Sequence, residues 1–138
     1  MSFSVSVSIE DYVRAIYLLE TKEGEARSKH LADYLKVKKS SVSEMALKLK
    51  KVGLVSYERY SGLSLTKKGR DLAEKLTFKH RVIEAFLTKM LKRDKREVHS
   101  EAHLLEHAFS DESITRIYSL IGKPKHDPHG ELIPNIKL

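Results

Sequence analysis

A chain of 138 residues with 41% hydrophobic content can bury a core without staples, as one compact domain or as two small ones. With no cysteine, disulfides, thiolate metal ligands and thiol catalysis are excluded. No run approaches the ~20 apolar residues of a membrane span. The start M-S-F-S-V-S-V-S has neither the basic region nor the long apolar core of a signal peptide, so a cytoplasmic protein without membrane contact is expected. The net charge of +7 is unevenly placed: residues 36–70 carry 10 basic and 2 acidic side chains, whereas 1–35 and 98–138 each carry 4 and 6. Charge so concentrated predicts a polyanionic partner, nucleic acid rather than membrane, because the segment has no bulky apolar helix face.

In chain order, Ser8 reads as the cap of a first helix running to about Thr21, with Tyr12, Val13, Ile16, Tyr17 and Leu19 at helical spacing. A turn around Gly24 leads to a second helix, Ser28 to Leu35. After a short polar connection, Ser40 or Ser41 caps a third helix, whose stripe Val42, Met45, Ala46, Leu49 and Val52 ends at Gly53. Two short helices and a tight turn make a helix-turn-helix, a pattern that many helical hairpins share.

The segment that follows narrows the choice. Val55, Tyr57 and Arg59 alternate with polar neighbours, Ser61-Gly62 turns the chain, and Leu63 and Leu65 alternate on the return. A helix-turn-helix followed by a β-hairpin, lying in the most basic segment, predicts a winged helix that binds double-stranded DNA. Ser40, Ser41 and Ser43, at the start of the third helix, are placed to bond phosphates alongside the helix amides, while Lys38, Lys39 and Arg59 add charge.

Thr66 caps a long helix, about Lys67 to Leu91, that outruns the winged helix and enters a second helical layer. The predicted fold is mostly α: an N-terminal winged-helix domain over 1–70 and a C-terminal helical domain over 71–138. A charged turn, a helix from about Arg96 to Phe109 and a further helix capped by Asp111 follow. The tail after Gly122 has three prolines and no period, which predicts an extended or mobile segment. Three helices are too few to close a core of their own, so a homodimer interface is expected.

The stretch V-H-S-E-A-H-L-L-E-H-A-F, residues 98–109, carries the sharpest chemistry. His99, His103 and His107 recur every four residues and Glu106 follows His103 by three, so one helix face offers three imidazoles and a carboxylate. First-row divalent metals favour those donors, although a solvated polar face has the same pattern. His103 to His107 also reads H-x-x-E-H, the pattern of some metallohydrolases, but a chain this short has no cleft-forming element to spare. No enzyme activity is expected.

With E-D-Y-V-R-A-I-Y at 10–17, S-S-V-S-E-M at 40–45, G-L-S-L-T at 62–66, F-K-H-R-V-I-E at 78–84 and V-H-S-E-A-H-L-L-E-H-A-F-S-D-E at 98–112, the chain resembles the diphtheria toxin repressor family. These are metal-dependent transcriptional regulators of iron and manganese uptake. The resemblance implies a primary metal site of Asp11, His103, Glu106 and His107, and a second site of His80, Glu84 and His99. It also places Glu44 in the major groove, where a carboxylate accepts from cytosine N4 or instead pairs with Lys48.

The chain departs from both branches of that family. At 103 the iron type has cysteine and the manganese type glutamate, against histidine here. Position 11 has the aspartate of the manganese type, but Arg14 stands where that type has a ligating glutamate. The third, SH3-like domain of the iron type, which helps complete the second site, has no counterpart in the chain, so water or the tail's His126, Asp127 or His129 is expected to fill the gap. The donor set is open to Mn2+, Fe2+, Co2+, Ni2+ or Zn2+, with raw affinity following the Irving–Williams order, and the resemblance favours Fe2+ or Mn2+ among them. The expected function is a repressor of metal-uptake genes with divalent metal as corepressor. A metal-independent winged-helix regulator is the alternative.

Overall fold

The computed structural model describes the backbone of residues 7–58 and 62–138, and side chains from residue 9 onward within those ranges. The chain divides into two compact units, Met1–Glu74 and Lys75–Leu138. The fold is mostly helical, with a two-stranded antiparallel hairpin after the N-terminal helices.

The first unit contains α1 (Val7–Glu23), α2 (Ser28–Leu35), α3 (Lys39–Lys51), β1 (Val55–Glu58), β2 (Gly62–Leu65) and the start of α4 (Lys67–Lys89). Its core forms where the apolar stripes meet: Val13 and Ile16 of α1, Leu31 of α2, and Val42, Ala46 and Leu49 of α3 close over Leu54, Val55 and Leu63. Lys36 in the left-handed region stops α2, and Gly53, with φ of 80°, ends α3. In this unit the helix boundaries differ from expectation at two starts. α1 begins at Val7, ahead of the expected cap Ser8, and α3 begins at Lys39 with Lys38 as its cap and no side-chain capping bond. Ser40 and Ser41 therefore lie within the first turn of α3. The chain enters the helix from extended backbone at Lys38.

In the wing, Val55 pairs with Leu65 and Tyr57 with Leu63, as the alternation requires. Arg59 and Ser61 of the expected wing tip lie outside the described residues. A bridge between Ala26 and Leu63 adds a third short edge, so close that a Cβ at Gly62 would stand 2.9 Å from the Ala26 oxygen. Glu20 Oε1 accepts from Leu65 N at 2.9 Å while its Oε2 pairs with Arg70 at 3.2 Å, tying α1 to the wing and to α4. Thr66 caps α4 as expected, accepting from Gly69 N at 3.1 Å and donating to Gly53 O at 2.6 Å.

The second unit comprises the rest of α4, α5 (Val98–Ala108), α6 (Asp111–Leu120) and the tail. Phe78, Val82, Ile83 and Leu87 of α4 pack with Val98 and Ala102 of α5 and with Ile114 and Ile121. Ser110, one residue before the expected Asp111, caps α6 by accepting from Ser113 N. Asp111 instead pairs with Lys75 at 2.6 Å and Lys79 at 2.8 Å.

Residues 125–133 of the tail form a compact turn, against the expectation of an extended or mobile segment, and residues 134–138 carry no regular structure. Asp127 Oδ1 accepts from His129 N at 2.9 Å and Glu131 N at 2.8 Å, and Ile133 N donates to Lys125 O at 2.8 Å. Arg81 donates to the Leu132 carbonyl, and Ile133 is buried in the core of the unit. An Asp side chain supplying local acceptors replaces the periodicity that a sequence pattern would register.

Two outcomes follow from this packing. A Cβ at Gly69 would stand 2.0 Å from Leu54 O, so Gly69→Ala should destabilise the chain by about 2–3 kcal/mol. The shift is to be read as a lower urea midpoint with an unchanged slope. At Asp111 burial would raise the carboxyl pKa, but the Lys75 and Lys79 hydrogen bonds and charges outweigh it and hold it below the ordinary 3.8. A depressed folded value contributes stability that is complete above the ordinary value and is lost as pH falls through the folded one. At pH 7 Asp111→Asn should therefore cost no more than about 1 kcal/mol after screening. The gap to wild type should close below about pH 4 in melts run as a pH series.

Candidate metal centre and nucleic-acid face

In the second unit, three titratable side chains are almost wholly buried: His80 and Glu84, each 2% exposed, and Glu106, 1% exposed. His80 and Glu84 are one helical turn apart on α4, and His80 Nε2 lies 3.2 Å from Glu84 Oε1. The other nitrogen of the same ring, Nδ1, lies 3.4 Å from Glu106 Oε2 on α5. One imidazole thus stands between two buried carboxylates. His103 Nδ1 approaches Glu106 Oε1 at 2.9 Å, and His107 Nε2 approaches the same oxygen at 3.8 Å.

Around Glu84 a second set gathers. His99 Nδ1 is 3.2 Å from His80 Nε2 and 3.7 Å from Glu84 Oε2, and His129 Nδ1 of the tail is also 3.7 Å from that oxygen. Glu84 Oε2 itself is buried and accepts no hydrogen bond among the described residues. Burial alone would raise the Glu84 pKa, but the His80 hydrogen bond and the positive character of His80, His129 and His99 outweigh it, and the carboxyl is held below its ordinary range.

Within the second unit, two triads of described residues have one donor atom from each residue within 4.8 Å of the others: His80, Glu84 and His99, and Glu84, Asp127 and His129. Glu84 belongs to both. Of the three tail residues expected to fill the gap, Asp127 and His129 join the cluster, whereas His126 is exposed and joins neither triad. Nitrogen and oxygen donors around a carboxylate oxygen without a hydrogen-bond donor fit a divalent cation. Asp11, expected in the primary set, lies half-buried on α1 in the first unit. Helical spacing identified which residues share a face of α5. The contact of His80 with Glu106 had no signal in the sequence, because it depends on how α4 and α5 pack.

In the first unit, Lys38, Lys39, Ser40, Ser43 and Glu44 are exposed and Ser41 is half-buried. No side chain caps α3, so the amides at its N-terminal end have no side-chain acceptor. Glu44 makes no ion pair with Lys48 among the described residues. Lys50 and Lys68 are engaged by the fold, donating to Tyr57 O at 3.2 Å and Val52 O at 3.0 Å.

Comparisons with known proteins agree with this division. Residues 4–63 match the model described as iron dependent repressor, N-terminal DNA binding domain, and residues 66–135 match that for its metal binding and dimerisation domain. An uncharacterised helix-turn-helix transcriptional regulator of Methanocaldococcus jannaschii is 41% identical over 122 residues, 88% of this chain and 98% of the relative. The transcriptional regulator MntR of Lysinibacillus sphaericus is 39% identical over 121 residues, 88% of this chain and 86% of that one. A solved manganese-dependent transcriptional repressor in complex with manganese superposes with a TM-score of 0.84 at 37% identity. That superposition covers 92% of this chain and 58% of the repressor, so the chain spans under two thirds of that protein's length. No described helix is long and apolar enough to cross a membrane.

The buried arrangement predicts a stability effect without metal. His80→Leu leaves Glu84 and Glu106 buried without the imidazole between them, and should cost about 3–5 kcal/mol. Urea melts in the presence of chelator check it.

Proposed function

Because the chain belongs to the iron-dependent repressor family, we propose that it represses metal-uptake genes in the cytoplasm, with a divalent metal as corepressor for operator DNA. The observation that carries this reading is the buried Glu84 oxygen with no hydrogen-bond donor inside a shell of imidazoles. His80, Glu84 and His99 form the second site, and Asp127 and His129 of the tail supply donors beside it. His103, Glu106 and His107 form the primary set, to which the family resemblance adds Asp11.

A bound cation supplies the positive charge that two buried carboxylates call for, and its stabilisation is confined to the state that holds all its ligands. Glu106 and Glu84 hold the imidazoles in place through His80, and the imidazoles must be neutral to ligate, so acid weakens binding. The relative solved with manganese favours Mn2+ or Fe2+, and the donor set of imidazoles and carboxylates also admits Co2+, Ni2+ or Zn2+.

On DNA, Lys38, Lys39 and Arg59 neutralise phosphates, Ser40, Ser41 and Ser43 position the helix on the backbone, and Glu44 enters the major groove. The exposed Leu91, Leu104 and Leu120 of the second unit support pairing with a second copy, which presents two recognition helices to a two-fold operator.

The test is a duplex enriched from a random library by the metal-loaded chain, then titrated with Mn2+, Fe2+, Co2+ and Zn2+. Metal at 100 times its Kd should tighten binding about 100-fold over chelator, and His103→Ala should weaken the response. Equal affinity with chelator and with metal would identify a metal-independent regulator. Peptidase activity lost in Glu106→Gln, with no duplex enriched, would identify a hydrolase.

A further inference from the structure

The outward stripe of α3 contains one residue that the charge-based reading of the helix does not use. Val42, Ala46 and Leu49 turn into the core. Ser40, Glu44, Leu47 and Lys51, spaced 4, 3 and 4, lie on the opposite side and are all exposed. Leu47 is the apolar member, 61% exposed at the middle of that stripe. It also lines an open cleft of about 580 Å3 with Ser43, Lys50, Tyr57 and Glu58, between α3 and the first strand of the wing.

A solvent-exposed leucine flanked by lysines on the second helix of a helix-turn-helix gains nothing from water, but its surroundings specify what can cover it. Lys48 and Lys51 beside it, Lys39 at the start of the helix, and Lys36 and Lys38 before it are exposed and favour a polyanion. Within duplex DNA the apolar feature that a major-groove helix meets is the thymine C5-methyl, and an aliphatic side chain recognises it by burial rather than by hydrogen bonding. We propose that Leu47 is a specificity-determining residue that packs on a thymine methyl in the major groove of the operator. The inference rests on the DNA-binding reading given above, and adds to it a base contact independent of charge.

The experiment uses the full chain loaded with Mn2+ and the duplex enriched from the random library, with each thymine in turn replaced by deoxyuridine, which removes only the C5-methyl. For the wild type, one thymine per half-site should show about a threefold to fivefold weaker Kd on replacement, the effect of losing one buried methyl. Leu47→Ala should bind the thymine and deoxyuridine duplexes equally at that position, and keep the wild-type salt dependence and metal requirement. An exposed helical leucine tolerates alanine, and unchanged far-UV dichroism and melting confirm that the variant is folded. A deoxyuridine penalty that persists in Leu47→Ala, or no penalty at any thymine, overturns the inference while leaving DNA binding standing. Failure of the metal-loaded chain to enrich any duplex overturns the DNA-binding reading itself, and this inference with it.

Discussion

The His80 imidazole between two buried carboxylates is the interaction on which the second unit depends. Its two nitrogens face Glu84 at 3.2 Å and Glu106 at 3.4 Å, and each carboxylate gathers further imidazoles: His99 and His129 near one, His103 and His107 near the other. An isolated carboxylate in such a place would be neutralised by a raised pKa, yet Glu84 is held low because its neighbours are imidazoles. The two donor sets expected from the sequence therefore flank one ring.

This cluster is held by a small apolar framework. Val82, Ile83 and Leu87 on α4 and Val98 and Ala102 on α5 fix which faces of the two helices meet, and so aim His80 at Glu106. The tail closes the other side through its own hydrogen bonds, with Asp127 organising the turn while it stands among the possible ligands. A side chain that shapes a loop and also offers a donor atom couples the order of the tail to the chemistry of the site.

The first unit separates holding from presenting. Glu20, Thr66 and Gly69 join α1, the wing and the start of α4 by hydrogen bonds and close backbone contact. The outward side of α3 has none of these duties. Lys39, Ser40, Ser43, Glu44 and Leu47 are exposed there, and its uncapped amides add to the field of the basic segment.

The local features were legible in the residues: the helix-turn-helix, the hairpin with its alternation, Thr66 as a cap, and the shared face of His99, His103, Glu106 and His107. Periodicity, capping and turn chemistry act over a few residues, so the sequence by itself determined them, together with an all nitrogen and oxygen donor set. Some expectations failed for the same reason. Competing caps one residue apart, as with Ser110 and Asp111, differ too little locally to be ranked, and the tail's order comes from contacts rather than from pattern. Only the tertiary structure decided that His80 reaches Glu106, that Asp127 and His129 close on Glu84, and that Asp111 serves Lys75 and Lys79. Each depends on which face of one element meets its neighbour, and packing sets that rotation across a whole core.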